Sequence, residues 1–460
     1  MRARLPLLTS SFVRTRALPG SAHVTTDAEG RFQLHVDAHP RHDAPRPSPA
    51  ATFTARRNTF LREGPTRHVL LLHAREAGRA PVVMREATAR QALDRIFEGP
   101  PRDLRIDLEG DDPLDAWDVL RVVVSSARHR ARSTKRRLSL GLSTSLAAMS
   151  AARCDWLLDH GVMLRVPFDA EASLHEAQRV VTGAAPFEVA SRWITHLHAR
   201  SSARGVDPTG AYLNATLTLS RHAADIPPRA LVDACLRAGL RYVRVSPVDP
   251  VGLTPEAYRA QGLPARDFIA IYDGFVAEAL ARTLADHLLV EMRFAGALER
   301  VLASPPPADQ PRVACRTGAP TLAFAPDGSV YTCDAATRLG DASDRFRLGH
   351  VATDRLPSLV RHEALRAVQA ASHLDALPGC ADCAYNPYCG VCPMHGLATR
   401  GAIAGRMHDT DWCTLALGLY DRVFTALASP EAAHTEAAYA RWMDARAAVQ
   451  AHYESFNVDV

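Results

Sequence analysis

Short apolar runs alternate with longer stretches of helical periodicity between residues 59 and 303. Apolar runs bounded by turn residues are typical of buried strands, and apolar residues repeating every three or four positions predict amphipathic helices. Strands are predicted at His68–Leu72, Leu104–Leu108, Leu138–Leu142, Val162–Val166, Tyr212–Leu219 and Tyr242–Ser246. Helices are predicted at Thr88–Phe97, Leu114–Arg128, Ala147–Leu158, Ala190–Ala203, Arg229–Ala238 and Phe268–Leu284. Six strand–helix units in order predict an α/β fold with a parallel sheet and right-handed crossovers.

The flanking segments have different patterns. Residues 22–36 predict a hairpin around the turn at 27–30, and the Pro-, His- and Arg-rich residues 39–49 predict a linker. The proline-rich residues 304–311 mark a boundary, and residues 430–454 predict an Ala-rich amphipathic helix that packs on the protein. We therefore divide the chain into residues 1–58, 59–303, 312–427 and 428–460.

Composition argues against nucleic acid and against a membrane as partners. The net charge is only +4, and Lys135 is the single lysine among 54 basic residues, which indicates genomic base composition more than nucleic-acid recognition. The basic run Arg128–Arg137 is interpreted as a solvated helix end. No apolar run reaches membrane-spanning length, and we recognise no signal peptide, so a cytoplasmic protein without a membrane partner is expected.

The cysteines are concentrated in the last third of the chain, which holds seven of the nine. Four of them lie within thirteen residues, at Cys380, Cys383, Cys389 and Cys392. Thiols this closely spaced, on turn-forming Gly, Pro and Asn, predict a metal site more strongly than buried structural thiols or a disulfide framework. One zinc would need only four ligands, so the count favours iron–sulfur clusters over zinc.

The cysteine spacing resembles the SPASM domain of radical SAM peptide maturases. The matching pattern is Cys315-x12-Gly328-x4-Cys333, then Cys380-x2-Cys383-x5-Cys389-x2-Cys392, then Cys413. The family usually has x3 in place of the last x2, so the position of Cys392 departs from the family spacing by one residue. The resemblance implies two auxiliary [4Fe–4S] clusters. The outer one would be held by Cys380, Cys383, Cys389 and Cys413, and the inner one by Cys315, Cys333 and Cys392.

Longer segments are similar to the radical SAM maturase of the His-Xaa-Ser peptide system. They include residues 322–334, 346–351 and 378–390, and a weaker likeness extends back to about residue 59. The resemblance implies that the six units form the partial (βα)6 TIM-like barrel of radical SAM enzymes, followed by the cysteine-rich domain. Related maturases often carry a leader-peptide-binding module at the N-terminus, and residues 1–58 are too short for a whole one.

The catalytic cysteine loop of the family is missing. An active member has Cys-x3-Cys-x2-Cys after the first strand, whereas this chain has Glu76, Ala80 and Val83 there and no cysteine before Cys154. Alanine and valine cannot bind iron, and Glu76 with His73 would make a poor low-potential cluster. The barrel is therefore interpreted as a pseudo-radical-SAM domain.

The motif that contacts S-adenosylmethionine has also changed. The family's Gly-Gly-Glu-Pro is replaced by Gly110, Asp111, Asp112 and Pro113, and Ser145 stands where the family usually has asparagine. Asp111 replaces a glycine whose backbone must come close to the ligand. This degenerate motif is expected to be non-functional, so S-adenosylmethionine is not expected as a cofactor.

Several other residues have structural interpretations. Cys154 and Cys235, on the apolar faces of helices, are interpreted as small buried hydrophobes. Tyr385, Tyr388 and Trp412 are expected to shield the clusters from water, with substrate contact as the alternative. His395 and His408 are interpreted as free surface histidines, although either could complete the inner cluster.

These patterns lead to one hypothesis and two alternatives. The protein would hold two auxiliary clusters and act as a partner, scaffold or electron carrier in ribosomal-peptide modification. It would bind a precursor peptide, a catalytic radical SAM maturase, or both, at the barrel mouth formed by the strand C-termini. The alternatives are an active maturase that uses an auxiliary cluster or unusual ligands, and a zinc-stabilised structural or interaction protein.

Overall fold

The N-terminal segment forms an antiparallel sheet of three strands. The computed structural model describes residues 13–19, 22–27, 31–36, 66–74, 81–179, 185–205, 213–302 and 321–456. The strands are Val13–Ala17 (β1), Ala22–Asp27 (β2) and Phe32–Val36 (β3), with β2 in the centre. The β2–β3 pair agrees with the predicted hairpin, and β1 was not predicted. The predicted linker at 39–49 lies outside the described residues.

Parallel strands in chain order form the centre of the molecule. Each strand pairs with the next along the chain, except that the two-residue strand Val82–Val83 (β5) pairs antiparallel with β4. The parallel strands are Arg67–Ala74 (β4), Leu104–Gly110 (β6), Leu138–Ser143 (β7), Val162–Pro167 (β8), Leu213–Leu219 (β9), Tyr242–Pro247 (β10) and Val290–Glu291 (β11).

Helices follow the strands and bury one face of the sheet. In β9, for example, Leu213, Ala215 and Leu217 are buried in the main core, whereas Asn214 and Thr216 on the other face are only half-buried. This alternation is the pattern of a sheet covered on one side by helices. The helices are Glu86–Phe97 (α1), Trp117–Ser133 (α2), Ala151–Asp159 (α3), Ala172–Gln178 (α4), Pro186–Ser202 (α5), Pro228–Arg237 (α6), Pro255–Gln261 (α7), Ala265–Leu284 (α8) and Met292–Leu302 (α9).

The predicted α/β class and parallel sheet are confirmed, and the differences have local causes. Helix α3 begins at Ala151, not at Ala147, because the Ser150 side chain caps it by accepting a hydrogen bond from the Arg153 amide (3.3 Å). Strand β11 and helices α4, α7 and α9 were missed. Strand β11 is only two residues long, which is too short to show periodicity.

The cysteine domain continues the same sheet. Strand Thr321–Phe324 (β12) pairs parallel with β4, and Ser329–Tyr331 (β13) and Arg347–His350 (β14) extend it as an antiparallel meander. The helices of this part are Leu356–Leu359 (α10), Glu363–Ala371 (α11), Pro393–Arg400 (α12) and Asp411–Ala428 (α13). The first strand of the parallel sheet is therefore covered at its edge by β12, which protects it from pairing with another chain.

The C-terminal helix, Ala432–Ser455 (α14), packs back onto the barrel helices. Trp442 is fully buried, donates a hydrogen bond from Nε1 to Thr283 Oγ1 (2.9 Å) and meets Phe294 edge to face. The helix therefore contributes packing surface, as the sequence suggested. No described helix is both long and apolar enough to cross a membrane.

Candidate metal centre

The loop that carries most of the cysteines is a chain of tight turns between α11 and α12. Gly379 has φ +76°, and a side chain there would lie 2.5 Å from the His408 ring. Asn386 donates a hydrogen bond from Nδ2 to the Cys380 carbonyl (2.9 Å), which closes the turn. Glycine and asparagine, the residues typical of such turns, therefore fold this loop back on itself.

Four thiols of this region line one cavity of about 310 Å³. They are Cys380, Cys383, Cys389 and Cys413. Cys413 lies in the first turn of α13, where Thr410 caps the helix by accepting a hydrogen bond from the Cys413 amide (3.3 Å). A helix N-terminus favours an anionic ligand. The cavity therefore brings together the four cysteines that the resemblance assigns to the outer cluster.

The ligand set of the cavity is compatible with an iron–sulfur cluster. Within the described residues, no three His, Cys, Asp or Glu side chains converge closely enough to hold one metal ion. A single zinc ion binds each of its thiolate ligands at a zinc–sulfur distance of about 2.3 Å, so all of them must point at one atom. An iron–sulfur cluster spreads its thiolates over several irons, so it fits thiols that surround a cavity.

The thiols of the cavity are held in their neutral form. Burial, followed by the neighbouring thiols Cys413 and Cys383, raises the pKa of Cys380 to about 12. Burial likewise raises the pKa of Cys413 to about 11. Because metals bind thiolates, loading this site must release protons, and metal binding must supply the free energy for deprotonation.

Cys333 and Cys392 form a second, separate group. Cys333 is fully buried, and its sulfur accepts a hydrogen bond from the Ala336 amide (3.4 Å). Cys392 is the N-cap residue of α12 and packs against the small apolar cluster that contains Cys333. Cys315, the third residue predicted for the inner cluster, lies outside the described residues. The structure thus places four of the six described cysteines of this region around the cavity and the other two at a different apolar cluster.

The remaining two cysteines lie in the core with Tyr385 and Tyr388, whereas Trp412 is half-buried. Cys154 and Cys235 are fully buried on α3 and α6, and burial raises the pKa of Cys235 to about 12. Tyr385 and Tyr388 are buried beside Tyr420 and Phe424. Tyr385 and Trp412 also line the thiol cavity, and Trp412 donates a hydrogen bond from Nε1 to the Gly390 carbonyl (2.6 Å).

The two histidines near the cysteines differ from each other. The prediction that His395 is a free surface residue is wrong, because it is 6% exposed and packs against the Trp412 ring at 5.0 Å. Its position on the inward face of the short helix α12 explains the burial. His408 is half-buried in the cavity wall, where Nδ1 lies 3.1 Å from the Pro378 carbonyl and Nε2 lies 3.0 Å from Asp409.

The residues predicted to be a degenerate cofactor motif lie where β4 and β6 end. Glu76 and Ala80 are outside the described residues, and Val83 is 44% exposed on β5, paired with His73. Gly110 has φ +141°, and a Cβ there would lie 2.2 Å from the His73 carbonyl oxygen. The close approach of the two strands therefore requires glycine at position 110.

Asp112 is fully engaged within the protein. It is 9% exposed and accepts hydrogen bonds from the Leu114 amide (3.1 Å) and from Thr144 Oγ1 (2.8 Å). Its other oxygen accepts from the Ser145 amide (3.1 Å) and from Ser145 Oγ (2.5 Å). Asp112 caps the short 3-10 helix that begins at Pro113 and ties β6 to the loop after β7. Both carboxylate oxygens are thus occupied by the chain's own donors.

The Asp112→Asn substitution tests this structural role. An amide cannot accept all four hydrogen bonds, and unpaired buried donors should lower the free energy of unfolding by about 1–3 kcal/mol. Asp111→Asn is the matched control, because its side chain is 48% exposed and the change should cost less than about 0.5 kcal/mol. Denaturant unfolding of both variants measures the difference, and equal stabilities would refute the structural role.

Charged side chains fill the polar face of the sheet next to this motif. Asp107 on β6 is fully buried and contacts Arg67 Nε (2.6 Å), Arg105 Nε (3.0 Å) and Arg165 Nη2 (2.8 Å). Glu109 lies 3.5 Å from Arg67 and 3.3 Å from Arg165. These arginines are therefore already paired with carboxylates of the chain.

Sequence reasoning missed the contribution of β1 to the thiol cavity. Thr15 and Arg16 line the cavity, although they lie more than 360 residues from Cys380 in the chain. The alternation of Arg14 and Arg16 in Val-Arg-Thr-Arg-Ala was the available signal, because it places both arginines on one face of a strand. Nothing in the sequence indicated what that face would contact.

Comparison with known proteins agrees with this architecture. A family model described as SPASM, an iron–sulfur cluster-binding domain, matches residues 315–384. A search of curated protein sequences finds no significant match.

Solved structures share the fold. Native anSMEcpe with bound AdoMet and Kp18Cys peptide superposes with a TM-score of 0.64 at 14% identity, over 79% of this chain and 98% of that one. Streptococcus suis SuiB bound to precursor peptide SuiA superposes with a TM-score of 0.53 at 11% identity, over 86% and 98%. The fold is thus that of the radical SAM/SPASM maturases, with a C-terminal SPASM iron–sulfur domain.

Proposed function

We propose that this protein is a degenerate radical SAM/SPASM protein that serves peptide modification without generating a radical itself. It holds two auxiliary [4Fe–4S] clusters and acts as a partner, scaffold or electron carrier during maturation of a precursor peptide of the His-Xaa-Ser type. The observation that carries the proposal is the contrast between two sites in one chain. Four thiols line a cavity in the SPASM domain, whereas the Asp112 carboxylate at the end of the barrel is already occupied by four hydrogen bonds from the chain itself.

The arrangement of the cysteines supports the two clusters. Cys380, Cys383, Cys389 and Cys413 would hold the outer cluster, and Cys315, Cys333 and Cys392 would hold the inner one. A bound cluster would supply one-electron transfer. The protein's own contribution is to bury the thiols, to place helix N-termini at Cys392 and Cys413, and to exclude water with Tyr385 and Trp412.

The end of the barrel supports the non-catalytic role. No cysteine precedes Cys154, so the chain lacks thiolates for a cluster in the loop after β4. Asp112, the position that would contact the amino group of S-adenosylmethionine, already accepts four hydrogen bonds from the protein. Binding that cofactor would require breaking these bonds, so we do not expect S-adenosylmethionine to bind.

A peptide partner is consistent with the proteins that share the fold. Solved structures of anSMEcpe and SuiB contain the Kp18Cys peptide and the precursor peptide SuiA, respectively. We propose that a precursor peptide, a catalytic radical SAM maturase, or both, dock at the barrel mouth formed by the strand C-termini. Val82 and Val83, which are exposed at 48% and 44%, lie at the end of β4 and provide apolar surface there.

Anaerobic quantitation of iron and sulfide, with electron paramagnetic resonance before and after adding S-adenosylmethionine, tests the proposal. We expect about eight irons per chain and spectra that do not change with S-adenosylmethionine. A spectrum that shifts on addition, or about four further irons, would favour an active maturase. Stoichiometric zinc in a colourless protein would favour the structural zinc protein.

A further inference from the structure

The N-terminal sheet is bonded directly to the cysteine loop. Arg14 donates a hydrogen bond from Nε to the Ala381 carbonyl (2.9 Å) and lies 3.3 Å from Asp375. Thr26 donates a hydrogen bond from Oγ1 to the Ala384 carbonyl (2.6 Å). Both carbonyls lie between Cys380 and Cys389, so two strands of the N-terminal sheet hold the backbone that presents three of the four cavity thiols.

Arg16 is fixed at the wall of the cavity. Its Nε and Nη2 each lie 2.7 Å from a different oxygen of Asp421 on α13, which is the bidentate geometry of a strong, oriented ion pair. Tyr385 donates a hydrogen bond to the same carboxylate (2.6 Å), and the guanidinium lies 5.3 Å from the centre of the Tyr385 ring. Arg16 and Tyr385 line the cavity, whereas Asp421 does not.

The packing beneath the arginines is apolar. Phe32 of β3 meets Phe424 of α13 edge to face, with ring centres 5.3 Å apart, and Val24 of β2 is fully buried in the same core. The N-terminal sheet is therefore attached to the cysteine domain by buried apolar contacts, and it places the polar side chains of Thr15 and Arg16 at the cavity. This arrangement distinguishes a built wall from a surface segment that touches the domain by chance.

Arg16 brings a positive charge to the wall of the cavity that Cys383 and Cys413 also line. A cation at this wall would stabilise the extra negative charge that a cluster gains on reduction.

We propose that the N-terminal sheet is a wall of the outer cluster site, and that Arg16, oriented by Asp421 and Tyr385, raises the reduction potential of the cluster at Cys380, Cys383, Cys389 and Cys413. This inference rests on the proposed function. Arg16 is a positioning and tuning residue, because it touches the cavity and not a reacting substrate. The N-terminal sheet thereby acquires a role that is independent of binding a leader peptide.

Redox titration of two variants with opposite charge changes tests the proposal. Arg16→Gln removes the cation and leaves Asp421 unpaired, so one of the two cluster potentials should become more negative while the other stays constant. Asp421→Asn removes the anion and leaves Arg16, so the same potential should become more positive. Iron retention against a chelator should also weaken in Arg16→Gln, by about tenfold or more.

Two controls separate tuning from folding. Arg16→Lys keeps the charge and should keep the potential closer to that of the wild type than Arg16→Gln does. Arg406→Gln removes an arginine that is 70% exposed, pairs with Asp409 (2.9 Å) and does not line the cavity, so no shift is expected. Thermal unfolding of each variant shows whether it is folded.

The outcomes are distinct. If Arg16→Gln and Asp421→Asn shift the potential in the same direction, or only lose iron equally, the contact is structural and the tuning proposal is wrong. If both variants keep the wild-type potential, the wall does not act on the cluster, and the proposal is also wrong. A wild type that holds no iron would instead refute the proposed function.

Discussion

Anaerobically purified Cys389→Ser protein is expected to hold about four irons fewer per chain than the wild type. Cys389 lines the same cavity as Cys380, Cys383 and Cys413. A serine hydroxyl is a far weaker ligand for iron than a thiolate. The outer cluster should therefore lose one of its four protein ligands and should not be retained. The inner group at Cys333 and Cys392 packs in a separate apolar cluster and should keep its iron.

Cys235→Ala is the matched control for this loss. Cys235 is fully buried on α6, away from both thiol groups, so its substitution should leave the iron content unchanged and cost about 1 kcal/mol of stability. Iron and sulfide are measured per chain, together with the visible absorption of the clusters. Equal iron in the two variants would contradict the outer-cluster assignment, and loss of about one zinc would support the zinc alternative.

Sequence patterns predicted the structural elements that are determined by residues close together in the chain. The strands β4, β6, β7, β8, β9 and β10 follow from apolar runs, and their parallel order follows from the helices between them. The four cavity thiols were predicted as one set by the resemblance. The turns that join the first three depend on nearby residues such as Gly379 and Asn386.

The features that the sequence analysis did not predict depend on contacts between distant parts of the chain. Strand β12 is four residues long and gains its place by pairing with β4, about 250 residues earlier. Arg16 meets Asp421 across 405 residues, and a single sequence carries no signal for such a pair. The burial of His395 was missed for the same reason, because the Trp412 ring that covers it belongs to the next helix.

The ion pairs around Asp107 also join distant parts of the chain, so the sequence alone did not predict them. Breaking them should have the second large effect, a loss of stability. Strand alternation places Arg105, Asp107 and Glu109 on one face, but the partners Arg67 and Arg165 come from other strands. Gly141 on β7 makes room between them, because a Cβ there would lie 2.5 Å from Asp107 Oδ1. Asp107→Asn should therefore lower the free energy of unfolding by about 3–5 kcal/mol, since it removes the fully buried carboxylate that three partly exposed guanidinium groups contact and leaves Arg67 and Arg165 only their longer contacts to Glu109.

Asp103→Asn is the matched control for that substitution. Asp103 pairs with Arg137 at 2.6 Å, but both side chains are more than 60% exposed, so the change should cost less than about 1 kcal/mol. Urea unfolding at neutral pH compares the two variants. Similar losses in both would mean that the Asp107 pairs contribute no more than surface pairs.

The pH dependence of Asp107 gives an independent check. Burial alone would raise the pKa of Asp107, but the charges of Arg105, Arg165 and Arg67 outweigh it and lower the pKa from 3.8 to about 2. The folded state thus favours the carboxylate, so the stabilisation is present above about pH 4 and is lost as the pH falls toward 2. The stability difference between wild type and Asp107→Asn should shrink by about 2 kcal/mol over that range. Because both proteins carry the same cysteines, loss of a cluster in acid affects them equally and cancels in the difference.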